Sequence, residues 1–374
     1  MPVSRPLAAD LARTIVDLFT AAETRLAADL ARMLAAELEA PDWATRKLLA
    51  IGGVRELAER IVRRLDTATG AEVEQLLVLA YARGGQAALD ELGRLGSAVP
   101  SQMTAIRRDL PGAEAIQRLV FSLVSTLRGT HLRITRWALD AYRTVVARAS
   151  VGTLLGVETR RRTAQRAWEQ LLSDGITGFT DRSGRNWQLA SYVEMATRTT
   201  VAQAAVEGHL DRLGSAGLDL VIVSNAPQEC VLCRPWEGKV LTRTGDGGSR
   251  ELQLPHTTRR AQLVTVDLAG SVAEAITAGL MHPNCRHSLS AYLPGITKAP
   301  TNTEDPEGDK ARQQLRYLER QVRSWKLRQA AAIDPAAAKA AGAKVRAYQA
   351  RIRAHVAATG LHRQSAREQI GTAR

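Results

Sequence analysis

Three cysteines and two histidines stand in two short stretches of the sequence at spacings that suit a metal ion. Cys230 and Cys233 form a Cys-x-x-Cys pair, which lets two thiolates converge on one tetrahedral ion. Fifty-two residues after Cys230, the same spacing recurs as His282-Pro-Asn-Cys285. Three cysteines and one histidine form a closed set of four ligands that is typical of structural zinc. The sequence therefore predicts zinc as a cofactor, with His287 as an alternative fourth ligand.

Other chemistry is open to the same residues. The cysteines can be buried without metal, and a Cys-x-x-Cys pair can also serve as a redox disulfide. On a strand, Cys285 and His287 would share one face and could act as a nucleophile and its base, but the sequence names no third residue that would orient the histidine. The sequence patterns of zinc deaminases and of His-Glu-x-x-His metalloproteases are absent. We therefore expect a protein that is not an enzyme, with a cysteine hydrolase as the alternative.

The two motifs lie in a region, residues 216–295, that is predicted to form a β-rich module similar to a zinc knuckle. Its clearest strand is Leu218–Ser224, a β-branched run that leads directly to the first cysteine pair. Ser271 is predicted to cap a short helix that Gly279 ends, three residues before the second motif. Further strands are predicted at Lys239–Leu241, Leu263–Val266 and Arg286–Leu293.

The rest of the chain has apolar residues at helical spacing, so the predicted fold class is α+β and mainly helical. We expect a helical N-terminal arm or bundle at residues 1–155, a helical connector at 156–215, a linker at 296–308 and a basic helical hairpin at 309–374. The helices predicted in the first region run from Leu11 to the residue before Pro41, from an N-cap at Asp42 through Ile61, from Val73 to Leu92, and from Ile116 to Val145.

The charge of the chain indicates a polyanionic partner. The 374 residues include 51 Lys and Arg against 38 Asp and Glu, which gives a net charge of +13. Residues 301–374 contain 15 basic and 7 acidic side chains, so this segment alone contributes +8. A solvated helical face or an acidic protein partner would also explain this excess. If the partner is nucleic acid, we expect five side chains of the first tail helix to contact phosphates: Arg316, Arg320, Arg323, Lys326 and Arg328.

No stretch of the sequence approaches the roughly eighteen apolar residues that would span a bilayer. We therefore expect no membrane contact, and we expect the chain to reside in the cytoplasm of the cell that makes it. Three cysteines are an odd number, which disfavours a secreted disulfide framework and favours metal binding in a reducing compartment.

The metal-binding motifs also resemble a known family. Cys230-x-x-Cys-Arg-Pro-Trp-x-Gly-Lys-Val, followed by His282-Pro-Asn-Cys-Arg-His, is similar to phage minor capsid proteins of the minor capsid protein 2 type, which are related to the Mu F-like head proteins. Upstream, Gly178-Phe-Thr-Asp-x-x-Gly-Arg-x-Trp and Tyr192-Val-Glu-Met-x-x-Arg-Thr look like the same family's approach to its cysteine module. Downstream, Arg316-Tyr-Leu-Glu-Arg resembles its basic helix. These motifs cover the chain from about Arg160 onward.

This resemblance implies a low-copy structural protein of a tailed-phage head. The implied location is the capsid interior or the portal vertex of the virion, reached from the host cytoplasm during assembly, and the implied role is head assembly or genome packaging and delivery. The implied partners are the portal protein, the major capsid protein and packaged DNA, with no small-molecule substrate. Some relatives carry a cysteine where His287 stands, which leaves His282 or His287 open as the fourth ligand. The alternatives are a head-maturation hydrolase and a zinc-containing nucleic-acid-binding protein.

Overall fold

A computed structural model describes residues 5–95, 112–154, 158–175, 179–180, 186–226, 229–245, 247–283, 285, 287–300 and 305–371. The described part is predominantly helical and holds a small mixed sheet, so the predicted mainly helical α+β fold class is confirmed. Among the described helices, none combines the length and apolarity that crossing a bilayer requires.

The helices of the described chain, numbered in chain order, are α1 (Arg5–Ala35), α2 (Trp43–Leu49), α3 (Ile51–Leu95), α4 (Ala113–Arg128), α5 (His131–Leu154), α6 (Arg160–Asp174), α7 (Leu189–Ser215), α8 (Val272–Thr277), α9 (Pro306–Ala330) and α10 (Pro335–Thr359). The strands are β1 (Phe179–Thr180), β2 (Asn186–Trp187), β3 (Leu220–Val223), β4 (Val240–Thr242), β5 (Arg250–Pro255), β6 (Leu263–Ser271) and β7 (Leu289–Ala291).

The chain divides into two compact units, each assembled from separate stretches of sequence. The first unit comprises Met1–Arg13, Glu72–Leu123 and Met195–Lys310, and it holds the five-stranded sheet. The second comprises Thr14–Ala71, Val124–Glu194 and Ala311–Arg374, and it holds the tail hairpin and the short antiparallel pair β1–β2. No observation tests the predicted boundaries at residues 155, 215, 295 and 308, which stay predictions.

The helix boundaries differ from the sequence predictions at three places. The second predicted helix is divided at Ala50 into α2 and the start of α3, and its later part is continuous with the third predicted helix, because backbone hydrogen bonding propagates through Gly70 at a cost of only about 1 kcal/mol. The helix predicted from Ile116 to Val145 is broken between α4 and α5, where the hydroxyl of Thr130 donates to the carbonyl of Leu127 at 2.6 Å. Asp42 precedes α2 but makes no capping hydrogen bond; its carboxylate accepts from Arg46 instead.

The sheet of the first unit has the strand order β5-β6-β4-β3-β7. β3 pairs antiparallel with both β4 and β7, β5 pairs antiparallel with β6, and β4 pairs parallel with β6. β5 was not named from the sequence, although its alternating exposed and half-buried residues are typical of a strand with one covered face. The sheet and α8 bury one core around Leu213, Val221 and Leu241, into which Cys233 also packs.

The short helix α8 begins as the sequence predicts. The Ser271 hydroxyl accepts from the Glu274 amide, and the Glu274 carboxylate accepts from the Ser271 amide, which together form a capping box. The chain then turns at Gly279, whose φ of 110° lies in the region that glycine adopts without strain. This turn delivers the chain to His282.

In the second unit, α9 and α10 pack through the two apolar stripes that the sequence predicts. Leu315, Leu318 and Val322 of α9 meet Val345 and Ile352 of α10 in one buried cluster. Trp325 and Tyr348 pack against that cluster, whereas Tyr317 is exposed. The carboxylate of Asp334 accepts from the amide of Ala336 and so caps the start of α10.

Candidate metal centre

Both half-sites are tight turns of the same kind. In the first, the amide of Cys233 donates to the carbonyl of Cys230 at 3.1 Å; in the second, the amide of Cys285 donates to the carbonyl of His282 at 2.8 Å. Each turn therefore presents its first and fourth residues on one side, which is the placement that two ligands of one ion require. The equal spacing noted in the sequence thus corresponds to the same backbone hydrogen bond between the fourth and first residues.

The sheet brings these two turns together across the intervening residues. The first turn follows β3 and the second precedes β7, and these two strands are antiparallel neighbours. Beyond the strands, the amide of Ser224 still donates to the carbonyl of Ser288 at 2.9 Å. Because the end of one antiparallel strand lies beside the start of its partner, the residues after β3 and before β7 meet at one edge. The β5–β6 hairpin and α8 occupy the long gap in the sequence.

The five predicted ligands form two overlapping groups. The ligand atoms of Cys230, Cys233 and His282 lie within 4.8 Å of one another, and so do those of Cys233, Cys285 and His287. Cys233, fully buried, belongs to both groups and therefore stands at the centre of the donor set. These groups could hold a metal ion, and the structure brings together every cysteine and histidine that the sequence singled out.

The distances in the second group fit a tetrahedral zinc site. Zn–S bonds of about 2.3 Å and Zn–N bonds of about 2.0 Å place two sulfur ligands about 3.8 Å apart and a sulfur and a nitrogen about 3.5 Å apart. The Sγ atoms of Cys233 and Cys285 are 3.5 Å apart, and Sγ of Cys285 is 3.4 Å from Nδ1 of His287. In the first group, Sγ of Cys230 is only 2.9 Å from Nε2 of His282, which is closer than a tetrahedral edge. The distances therefore fit a zinc site better with His287 as the histidine ligand than with His282.

His287 is held by a buried carboxylate that sequence reasoning missed. Its Nε2 lies 2.7 Å from Oε1 of Glu237, and only 1–2% of either side chain is exposed. The same carboxylate oxygen accepts from the amide of Ala226 at 2.9 Å, which fixes the carboxylate in turn. With Nε2–H donated to Glu237, the lone pair of Nδ1 points toward Cys285. A carboxylate behind a histidine is the usual outer partner of a zinc ligand.

His282 is placed differently. Its Nδ1 lies 2.8 Å from the carbonyl oxygen of Pro283, and its side chain is only half-buried. With Nδ1–H donated to that carbonyl, Nε2 faces Cys230 as a hydrogen-bond acceptor. His282 therefore also has a nitrogen that suits a metal, but it relies on a local backbone group at the surface rather than on a buried carboxylate.

Hydrogen bonding moves the pKa values of the two nearest thiols in opposite directions. The contact with Cys233 lowers the pKa of the Cys285 thiol, helped by His287 and despite burial. The same contact, together with burial, raises the pKa of Cys233. Burial alone would lower the pKa of His287, but its hydrogen bonds to Cys285 and Glu237 raise it. Cys285 thus ionises more readily than Cys233, and thiolate is the form that binds zinc.

The basic residues predicted to contact nucleic acid lie in the second unit, and most of them have partners within it. Arg316 pairs with Glu319 at 3.0 Å, Arg323 with Glu194 at 3.1 Å, and Lys326 donates to Gln369 at 2.7 Å. Arg328 stacks its guanidinium 4.3 Å from the ring centroid of Trp325, and Arg320 is exposed. All five residues lie on α9, where Arg323 and Lys326 contact side chains of other segments of the unit.

Glu237 had one weak signal in the sequence. It follows the first half-site by four residues, inside the Cys-Arg-Pro-Trp-Glu-Gly segment, and Gly238 after it adopts a φ of 70° that sharply redirects the chain toward β4. A carboxylate in a turn next to ligand cysteines is a candidate outer partner, but no periodic pattern marks which histidine it faces.

The chain can now be compared with known proteins. A family model described as phage minor capsid protein 2 matches residues 8–357, which includes the N-terminal helices where the motifs gave no resemblance. A structural protein of Lactococcus phage LL-H is 24% identical over 330 residues, covering 84% of this chain and 85% of that protein. No solved structure gives a significant match. The family predicted from the cysteine and histidine motifs is therefore confirmed, and the chain belongs to the phage minor capsid protein 2 family.

Proposed function

We propose that this protein is a structural, non-enzymatic minor component of a tailed-phage head, located in the capsid interior or at the portal vertex. Its role is head assembly or genome packaging and delivery, with the portal and major capsid proteins as partners. The observation that carries the proposal is the convergence of the two Cys/His turns in a chain that matches a minor capsid family over nearly its full length. The relative from Lactococcus phage LL-H, named a structural protein, supports it.

Composition of the phage particle tests this proposal directly. Mass spectrometry of purified virions and procapsids of the source phage should detect the chain at a copy number well below that of the major capsid protein. Cross-linking of the same particles should join it to the portal or major capsid protein. Particles that contain no copy of the chain at any stage of assembly would rule out the structural role.

We further propose that zinc stabilises the β-rich module, because that module packs its half-sites into the core around Cys233. When bound, the ion would cross-link the turn after β3 and the turn before β7 through its coordinate bonds. The purified chain should contain one zinc ion, and chelation should lower the melting temperature of the module by roughly 10 °C or more. A metal-free protein with an unchanged melting temperature after chelation would refute a structural ion.

A second candidate function is a cysteine hydrolase active in head maturation. No third residue that would orient His287 could be identified from the sequence, and in the structure Glu237 takes this role. Sγ of Cys285 lies 3.4 Å from Nδ1 of His287, and Nε2 of His287 lies 2.7 Å from Oε1 of Glu237. This order of nucleophile, base and orienting carboxylate is the arrangement of cysteine hydrolases. Against it, His287 is buried and Cys285 lies 3.5 Å from a second thiol, which favours a closed ligand set.

One substitution separates the two functions. If the site is structural, Cys285→Ala should lose zinc and lower the melting temperature; if it is catalytic, the variant should stay folded and lose only processing of head proteins. Ser249→Ala, which changes an exposed turn residue of the same unit, is the control and should change neither. A zinc-containing nucleic-acid-binding protein outside the virion is the remaining alternative, and it requires DNA or RNA binding without incorporation into particles.

A further inference from the structure

Helix α10 has an exposed basic surface that the sequence reasoning did not single out. The helix carries no acidic residue from Pro335 to Thr359. All of its lysines and arginines are exposed, and within the described residues none of them forms an ion pair with a carboxylate: Lys339, Lys344, Arg346, Arg351 and Arg353. Arg351 places its guanidinium 5.1 Å from the ring centroid of Tyr348. This surface is therefore available to an external anion.

The basic side chains are ordered in two rows along the helix. Lys339, Arg346 and Arg353 recur every seven residues and so form one row; Lys344 and Arg351 form the second. The rows lie on either side of the helix, flanking its outward face, while Val345 and Ile352 are buried on the opposite face. The outward strip between the rows consists of exposed alanines: Ala340, Ala343, Ala347, Ala350 and Ala354.

The basic residues of α9 and those of α10 differ in their contacts. On α9, Arg316 and Arg323 pair with carboxylates of their own unit, so their charges are already partly compensated, and Lys326 donates to the neutral side chain of Gln369. On α10, the five charges face outward. An external partner therefore meets five exposed charges on α10, whereas Arg320 is the one exposed residue among the five predicted side chains of α9.

We propose that α10 binds the phosphate backbone of double-stranded DNA through these two rows, an inference that rests on the proposed place of the chain in a DNA-filled head. The row from Lys339 to Arg353 is roughly 21 Å long at 1.5 Å per residue. Each strand of a duplex carries one phosphate per about 3.4 Å of the helix axis, so the row spans a length of duplex that holds about six phosphates of each strand. The alanine strip lets the helix approach the backbone closely, without side chains that would hold it away.

A protein partner fits this surface less well. Protein interfaces rely on a few large apolar or aromatic anchors that fill pockets, and the outward strip of α10 offers only methyl groups. The surface also lacks acidic or amide side chains in the rows that would match hydrogen bonds of a specific partner. Regularly spaced Lys and Arg side chains beside a strip of alanines suit a polyanion with regularly spaced charges, such as the phosphate backbone. Contacts with phosphates carry no base-sequence preference.

Equilibrium binding of the full chain to a 30-base-pair duplex of arbitrary sequence, measured by fluorescence anisotropy over a salt series, tests the proposal. The triple variant K339Q/R346Q/R353Q keeps good helix-forming residues and should bind at least tenfold more weakly at 100 mM salt. Because each lost phosphate contact lowers the log–log salt slope by about 0.9, that slope should fall by about 2 to 3. Duplexes of different sequence should bind equally well.

The matched control is R55Q/R60Q/R64Q, which removes three exposed arginines from α3. It should leave both the affinity and the salt slope close to those of the wild type. Equal losses in the two triple variants would overturn the proposal, because binding would then follow total charge. Tighter binding to polyglutamate than to DNA would also overturn it and assign α10 to an acidic protein. Absence of the chain from virions would refute the proposed function, whereas a virion protein that binds DNA equally well with and without the K339Q/R346Q/R353Q substitutions refutes only this inference.

Discussion

Glu91 of α3 joins His209 of α7 to the outer edge of the sheet. Oε2 of Glu91 lies 2.8 Å from Nε2 of His209, and Oε1 accepts from the amide of Ala291 at 2.9 Å. Ala291 belongs to β7, the edge strand, and its neighbour Tyr292 donates its amide inward to Leu220 of β3. The amide of Ala291 therefore points away from the sheet, and one carboxylate satisfies both this edge amide and a buried histidine.

Removal of the Glu91 carboxylate should destabilise the first unit strongly. Glu91→Ala leaves two buried polar groups without a partner, each of which costs about 1–3 kcal/mol, so we expect a loss of about 2–4 kcal/mol in the free energy of unfolding. Glu91→Gln keeps one acceptor oxygen and should lose about half as much. Urea titration measures the free energy of unfolding of both variants. In Glu91→Ala, hydrogen exchange should also accelerate at the amide of Ala291.

Asp90, the exposed neighbour of Glu91, provides the control for this experiment. Its carboxylate accepts from the exposed side chain of Gln86, so Asp90→Ala should change stability by less than about 0.5 kcal/mol. If Asp90→Ala and Glu91→Ala were equally destabilising, the edge contact would not be the cause.

Helical periodicity and the two Cys/His spacings were readable in the sequence because both depend on neighbours within a few residues. The predicted strands, the cap at Ser271 and the stripes of α9 and α10 follow local rules of this kind. The partners of Arg323 and Lys326 were not readable, since Glu194 and Gln369 come from distant segments. The link between His287 and Glu237 was hidden for the same reason: fifty residues separate them, and only the sheet brings them together.

Two glycines mark a close helix crossing that depends on segments far apart in the sequence. Gly84 of α3 and Gly208 of α7 would be read as weak points of their helices. In the structure, a Cβ on Gly84 would lie 1.9 Å from the carbonyl oxygen of Ala205, and a Cβ on Gly208 would lie 2.1 Å from that of Tyr81. The two glycines therefore permit the backbones of α3 and α7 to touch reciprocally.

Alanine at these crossings should be destabilising, even though alanine favours helices. Because the obstructing atoms are backbone, Gly84→Ala should cost about 3 kcal/mol or more by forcing α3 and α7 apart. Gly93→Ala, on the same helix with nothing within 4 Å of its added Cβ, should instead stabilise by up to about 1 kcal/mol. Opposite signs of the two changes in thermal unfolding are the expected result, and a stabilising Gly84→Ala would contradict the close crossing.

Glu23, buried in the second unit, should make folding stability depend on pH. Burial raises the pKa of Glu23 from 4.5 to about 7, while Arg323 and the backbone of Ala190 oppose this only in part. Between these values the folded chain holds a proton that the unfolded chain has released, so the contribution of Glu23 to stability is greatest below about pH 4.5 and falls as the pH rises to 7. The shift corresponds to about 3 kcal/mol at most.

The neutral variant Glu23→Gln should remove this dependence. Relative to the wild type, it should have similar stability at pH 5 and gain up to about 3 kcal/mol at pH 8, measured by urea titration at the two pH values. Glu56→Gln, at an exposed position of α3, is the control and should follow the wild type at both values. A difference between Glu23→Gln and the wild type that does not grow with pH would contradict a protonated Glu23.

Finally, the geometry predicts that His287, and not His282, is the fourth zinc ligand, because a buried carboxylate fixes its Nδ1 toward Cys285 and Cys233. His287→Gln and Glu237→Ala should each weaken zinc binding by about 10- to 100-fold in competition with a chelator, and Glu237→Gln should restore part of the loss through its acceptor oxygen. His282→Gln is the matched control and should stay within about threefold of the wild type.

A spectroscopic readout distinguishes coordination from a general loss of stability. In a long-range ¹H–¹⁵N spectrum of the zinc-loaded chain with labelled histidine, His287 should show a metal-bound Nδ1 and a protonated Nε2, the tautomer that Glu237 imposes. His282 should keep the protonated Nδ1 that its contact with the Pro283 carbonyl requires. A metal-bound Nε2 on His282 would reverse the assignment, since Cys230 and His282 would then open out from their 2.9 Å contact to admit the ion.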